Sequence, residues 1–343
     1  MRIQYINYLN IFSCISVIAL HCNGCFWTFS YDRWWKTSVI IETAFYTAVP
    51  VFFMIIGVTL LDYHRKYDTK TFFKKRVLKA LIPFIIWSLF AIGLQICLGK
   101  IPFSSISIAK IFEWIISTKY MPVYWFFIPL FATYLSLPIL CRIEDGYKKE
   151  VYSNGVIGAF LTMSFFPQVL SFLGINYNAG LNIEAVGGYL IYVMLGYLIE
   201  YCYKFTMKQR ILIYILGFCG WFARFITVLL WSLESGSIQN QLGGYIGFPT
   251  VFFSVAVFVF FKYEVSSIRI LNSINEKHIN LLASYGLGVY LIHMYFIKLL
   301  PKVVGIPITS MVWRTAGVII VYCCCLITVF ILKRIPLVKY IVP

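Results

Sequence analysis

A helix crosses the hydrocarbon core of a bilayer with about 20 consecutive apolar residues. This chain of 343 residues supplies such stretches almost without interruption. By that rule ten spans are expected, at 5–26, 38–61, 77–98, 123–141, 151–172, 183–203, 211–232, 245–262, 279–300 and 309–332. The fold class is all-α and polytopic, because a helix satisfies its own backbone hydrogen bonds in lipid. Composition argues against a soluble domain: 12% of the residues are charged and 61% hydrophobic, where a soluble domain is about 25% charged. The first stretch lacks a small-residue cleavage site and is followed directly by another, so it reads as a retained helix and not a removed signal peptide. One membrane domain over 1–343 is expected. Gly155, Gly158 and Pro167 interrupt the fifth span. Between the third and fourth, residues 106–118 have an amphipathic pattern that suits the interface or a re-entrant segment.

The net charge of +16 does not mark a nucleic-acid partner, since no soluble segment carries a basic module with interleaved aromatics. In a membrane protein, excess Lys and Arg first set orientation. With the N-terminus inside, the inner segments hold 20 Lys and Arg and the outer ones seven, so both termini are expected to be cytoplasmic. The outer loops 173–182 and 233–244 are rich in Gly, Asn, Gln and Ser. They suit a neutral polar ligand such as a sugar, and equally ordinary turns.

An ionisable side chain within a span is costly and marks a functional candidate. His21 is the first, about 22 Å along its helix from the inner start and so in the outer half. Its other reading is a hydrogen bond to a neighbouring helix. Glu42, early in the second span, lies at the depth of His21 if the two spans run antiparallel, where a carboxylate would orient the imidazole. Arg224 lies midway along the seventh span, a candidate to pair with Glu42 or Glu184 or to meet a developing negative charge. Arg314, at the outer start of the tenth, is placed to snorkel to the interface. His293, within the ninth, reads as a helix–helix hydrogen-bond partner or a substrate contact. Tyr124 and Trp125 open the fourth span, as an interfacial belt or a substrate contact.

The segment FFKKRVLKALIPF at the start of the third span is the most basic in the chain. Arg76 and Lys79, three apart, share a helix face, and Lys75 with Lys79 an adjacent one. Such a cluster suits a phosphorylated cofactor or anionic lipid. Cys22 and Cys25 form a C-x-x-C without a second pair at zinc spacing, so no metal is expected. The pair is expected to be reduced, because a helical C-x-x-C is strained for a disulfide.

Taken in order, VIALH, AVPVFFMIIGVTLL, KKRVLKALIPFIIW, YWFFIPLFATYLSLPIL and SYGLGVYLIH resemble the membrane-bound acyltransferase-3 family, O-acyltransferases and O-acetyltransferases of surface glycans. The resemblance implies a ten-helix unit in the cell membrane and acetyl-CoA or another acyl-CoA as cytoplasmic donor. It implies a carbohydrate or lipid-linked glycan hydroxyl as acceptor. It places the family's essential first-span histidine on His21, its paired basic residues on Arg76 and Lys79, and its late Tyr-Leu-x-His on Tyr290 to His293. The family's arginine eleven residues before the histidine is replaced by Asn10, three turns away on the same face and able to orient a ligand by hydrogen bonds. The chemistry implied is acyl transfer, with His21 as general base or as acyl carrier. Arg76, Lys79 and Lys75 would hold the donor phosphates, Glu42 would orient His21, and Arg224 would stabilise the oxyanion. The alternative is a transporter or flippase of a lipid-linked glycan, against which stands the lack of a repeated half with matching broken helices.

Overall fold

The computed structural model describes residues 4–175, 187–336 and 338–343. It is an all-α polytopic membrane protein, with no strand among the described residues. The helices run α1 (Gln4–Cys22), α2 (Arg33–Arg65), α3 (Thr69–Cys97), α4 (Ile108–Ile116), α5 (Pro122–Leu140), α6 (Asp145–Phe172), α7 (Leu190–Cys202), α8 (Met207–Ser235), α9 (Phe248–Ser267), α10 (Glu276–Ser284), α11 (Gly286–Val304) and α12 (Met311–Leu332). Among the described residues nine are long and apolar enough to cross a membrane, where ten spans were expected. The tenth is the shorter α7, and the first part of its expected span, with Glu184, lies outside the described residues. The amphipathic stretch forms α4, whose Trp114 packs on Ile92 and Ile101 while Ile108, Phe112 and Ile116 are exposed.

Helix α1 is the hub. It packs against α2, α9, α10, α11 and α12, and its apolar window is 67% buried against 11% for α6 and 22% for α8. Two close crossings hold the neighbours together. A Cβ at Gly57 of α2 would sit 1.9 Å from the Val193 carbonyl oxygen, and one at Gly196 of α7 would sit 2.1 Å from that of Met54. Likewise Gly217 of α8 lies against Ala256 of α9. In lipid, association relies on such backbone approach, because the tails are as apolar as the side chains.

Prolines shape the helices at defined points. A proline ring clashes with the carbonyl four residues back and removes one hydrogen bond. Pro50 acts on Tyr46, and α2 opens into a turn at residues 46–47 between Arg33–Phe45 and Ala48–Leu60. Pro83 and Pro167 act on Lys79 and Met163, each within a π-helical turn (Val77–Leu81 and Phe160–Phe165). The fifth span is therefore continuous through Pro167, with a wide turn in place of a break.

Three charged residues do not sit where the sequence suggests. Arg314 does not snorkel: it is 3% exposed and donates to the Trp34 carbonyl at 3.1 Å, the Thr37 hydroxyl at 3.0 Å and Asn23 at 3.5 Å. Those acceptors neutralise the cost of burial, so the side chain has no reason to reach for water. Lys148, counted with the inner surface charges, is buried and pairs with Asp62 at 2.6 Å and Asp145 at 2.8 Å. Lys262 reaches Glu200 at 3.1 Å and the Ile199 carbonyl at 2.6 Å, occupying a carbonyl in the π turn Leu198–Cys202.

Candidate active site

His21 lies in the last turn of α1, at the edge of a cavity of about 270 Å³. Its ring is half-buried and forms no hydrogen bond among the described residues, which leaves its nitrogens to a ligand. Glu42 of α2 lines the same cavity and is 4% exposed. The structure thus brings His21 and Glu42 to one space, without a direct hydrogen bond between them among the described residues. Val17, Leu20 and Val49 supply the apolar part of the lining, and Tyr46, Trp125, Tyr245 and Tyr290 the aromatic part.

Three of those rings belong to one continuous stack. Tyr46 and Tyr245 lie 4.3 Å apart and 7° from parallel, and Tyr245 continues to Trp125 at 5.3 Å and 24°. At the other end the Arg224 guanidinium sits 3.6 Å from the centre of the Tyr46 ring. Arg224 is 3% exposed, forms no ion pair with Glu42 among the described residues, and is not part of the cavity lining. Its contact is therefore with the stack, and a desolvated guanidinium over an aromatic face is favourable by about 2 kcal/mol.

Local sequence explains the stack. Pro50 has no N–H to offer the Tyr46 carbonyl, and α2 passes through a turn there with its backbone still in the right-handed helical region. Tyr245 is carried by the connection between α8 and α9. Gly244 there has φ +96°, a conformation that a side chain makes costly. Gln168 clamps this connection, donating to the Gly243 carbonyl and accepting from the Phe248 amide, each at 2.9 Å. The Tyr192 hydroxyl donates to the Tyr245 carbonyl.

The remaining expected residues divide between this cavity and other places. Trp125 lines the cavity, whereas Tyr124 beside it is buried and donates to the Leu291 carbonyl at 2.7 Å. His293 is fully buried behind His21, with ring centres 5.2 Å apart. Its Nδ1 is 2.6 Å from the Tyr290 carbonyl, so Nδ1 carries the proton and Nε2, which has no partner among the described residues, is an acceptor.

Asn10 lines a second cavity of about 160 Å³, with Phe126, Leu130, Tyr134 and Tyr290 among its other walls. Tyr290 faces both cavities, and its hydroxyl donates to the Val123 carbonyl. The Arg76 guanidinium lies 5.6 Å from the centre of the Tyr134 ring, a wall of the second cavity. Its side chain is half-buried, and its buried Nε has no partner among the described residues. Lys75 lies 3.8 Å over Tyr67, while Lys79 is exposed. Just past α12, Lys333 is held below the usual lysine range, first by burial and then by the charge of Lys79. Arg76 adjoins the second cavity through the Tyr134 ring, and none of these cations is itself among its walls.

Cys22 and Cys25 are free thiols, both buried. Burial pushes the Cys25 thiol above its ordinary value, with the Arg314 guanidinium pulling the other way. Among the described residues no group of three or more His, Cys, Asp or Glu side chains is placed to hold a metal ion.

Sequence reasoning missed Tyr46, Tyr245 and Trp27. Pro50 was the available signal for Tyr46, and a pair of glycines before Tyr245 the only local one for that residue.

A family model described as an acyltransferase domain, of the acyltransferase-3 type, matches residues 3–330. No curated protein and no solved structure matches the chain.

Proposed function

Because the chain belongs to the acyltransferase-3 family, we propose that it transfers an acetyl group from acetyl-CoA to a sugar hydroxyl of a surface or lipid-linked glycan in the cell membrane. The observation that carries this reading is a pair of cavities that share Tyr290 as a wall. Arg76 lies against Tyr134, a wall of one, and His21 lines the other with no hydrogen bond among the described residues. A donor with its phosphates at Arg76, Lys75 and Lys79 would pass its thioester along the second cavity, past Tyr290, to His21. Phosphate recognition by clustered cations is charge-assisted.

In the step itself, an unprotonated His21 nitrogen takes the proton of the acceptor hydroxyl as its oxygen attacks the thioester carbonyl. The tetrahedral intermediate collapses with loss of the coenzyme A thiolate, which recovers the proton from the imidazolium. The ester and the free thiol are the products. A histidine that first accepts the acyl group and then passes it on reaches the same products. Glu42 would set the imidazole's orientation. Arg224 acts in this reading as a positioning residue, through Tyr46.

The test is transfer of label from acetyl-CoA by the purified protein in lipid, with mass spectrometry of surface glycans from cells with and without it. A glycan acyl pattern that does not change between the two would count against the reading and favour movement of a lipid-linked glycan.

A further inference from the structure

Trp27 has the opposite situation from most of the site. It lines the cavity with His21 and Glu42, yet 61% of its surface is exposed. The turn that carries it is held in place. Residues Gly24–Trp27 form a tight 3₁₀ turn directly after α1. Phe26 is buried and stacks on Trp35 at 6.3 Å and 11°. The Trp35 indole donates to the Phe26 carbonyl at 3.0 Å. Asn23 is fully buried, donates to the Ser38 carbonyl at 2.9 Å and receives Arg314. The turn is bolted to α2 and α12, and Trp27 is its one large side chain left at the cavity mouth.

An interfacial belt tryptophan would present its ring to lipid from the outside of the bundle. Trp27 instead also lines the cavity, together with Trp125, Tyr245, His21 and Glu42. Aromatic faces with a few polar groups at the rim suit a flat ligand whose faces are C–H and whose edge is hydroxyl. A neutral pyranose has that character. An acyl chain or a nucleotide phosphate does not.

We propose that Trp27 is the stacking platform for the acceptor, receiving the C–H face of a neutral pyranose at the cavity mouth and so holding one of its hydroxyls toward His21. This deepens the acyl-transfer reading and rests on it for the fate of that hydroxyl. Trp27 is then an acceptor-binding residue with no part in donor recognition.

The experiment uses the full-length protein in lipid nanodiscs, with methyl β-D-glucopyranoside as probe. Saturation-transfer difference NMR reads contact of its ring C–H protons with the protein, independently of turnover. Trp27→Ala should lose that signal, with apparent sugar affinity weakened roughly ten-fold. Trp27→Phe should retain most of it, and Tyr31→Ala, on the same loop but outside the cavity lining, should match wild type. In parallel, with labelled acetyl-CoA, Trp27→Ala should raise the sugar KM and leave the acetyl-CoA KM unchanged. Equal ring-proton saturation in wild type and Trp27→Ala overturns the proposal whether or not acetyl transfer occurs. A Trp27-dependent saturation signal with no acetyl transfer to the sugar supports the platform and counts against acyl transfer alone.

Discussion

The imidazole rings of His21 and His293 lie 5.2 Å apart, one facing the cavity and one sealed behind it. His293 gives its Nδ1 proton to the Tyr290 carbonyl and is left with an acceptor nitrogen. It packs behind the His21 ring and is not among the walls of either cavity.

This relationship separates two variants. His21→Ala should lower turnover by roughly 100- to 10,000-fold, the usual range for a lost general base, with acceptor KM little changed. His293→Gln should lower turnover by less and also leave acceptor KM unchanged, because its contact is with His21 and not with substrate. Steady-state kinetics on monodisperse protein checks both. A rise in acceptor KM alone for His293→Gln would return it to the substrate-contact role read from the sequence.

Arg76 should govern donor affinity. Arg76→Ala is expected to raise the acetyl-CoA KM with kcat nearly unchanged, the pattern of an interaction made equally in ground and transition states. Coenzyme A alone should raise the thermal midpoint of wild type and do so much less for Arg76→Ala. Thermal scans at increasing coenzyme A give the answer, and equal stabilisation of the two proteins would move the phosphate site elsewhere.

Arg224→Lys should behave as a loss and not as a conservative change. A lysine ammonium cannot reproduce the planar contact 3.6 Å from the Tyr46 ring. The expected outcome is a stack weakened by part of the about 2 kcal/mol of the full contact, with the thermal midpoint lowered and turnover reduced along with it. Glu42→Gln should leave the midpoint near wild type and reduce turnover by less than His21→Ala. If Arg224→Lys kept full stability and lost turnover alone, a direct role on the reacting atoms would be favoured.

Gly57 and Gly196 should not accept larger side chains. Each Cβ would fall within about 2.1 Å of a backbone carbonyl oxygen across the α2–α7 crossing, and backbone cannot step aside as a side-chain tip can. Overpacking of this kind costs about 1–3 kcal/mol or more. Gly57→Val is expected to sharply reduce the monodisperse fraction on size exclusion, and Gly93→Val, where a Cβ meets nothing within 4 Å, to leave it unchanged.

What the sequence determined by itself was the membrane character and most of the spans, because crossing lipid demands a length and an apolarity that can be read residue by residue. His21 and Glu42 were equally legible as candidates, since ionisable groups in such segments are conspicuous, and the structure puts both on one cavity. The aromatic stack was not. Tyr46 lines the cavity from the turn within α2, and Tyr245 reaches it because Gln168 and Tyr192 hold a distant connection in place. Tyr124 and Trp125 are neighbours in the chain, yet one packs on Leu291 and the other lines the cavity. The fates of Arg314 and Lys148 turned on acceptors far away in sequence: Asn23, Trp34 and Thr37 for one, Asp62 for the other. Hydrophobicity is a property of each residue and its near neighbours, so it sets the spans. A buried polar group is decided by which partner the packing delivers, and only the tertiary structure makes that choice.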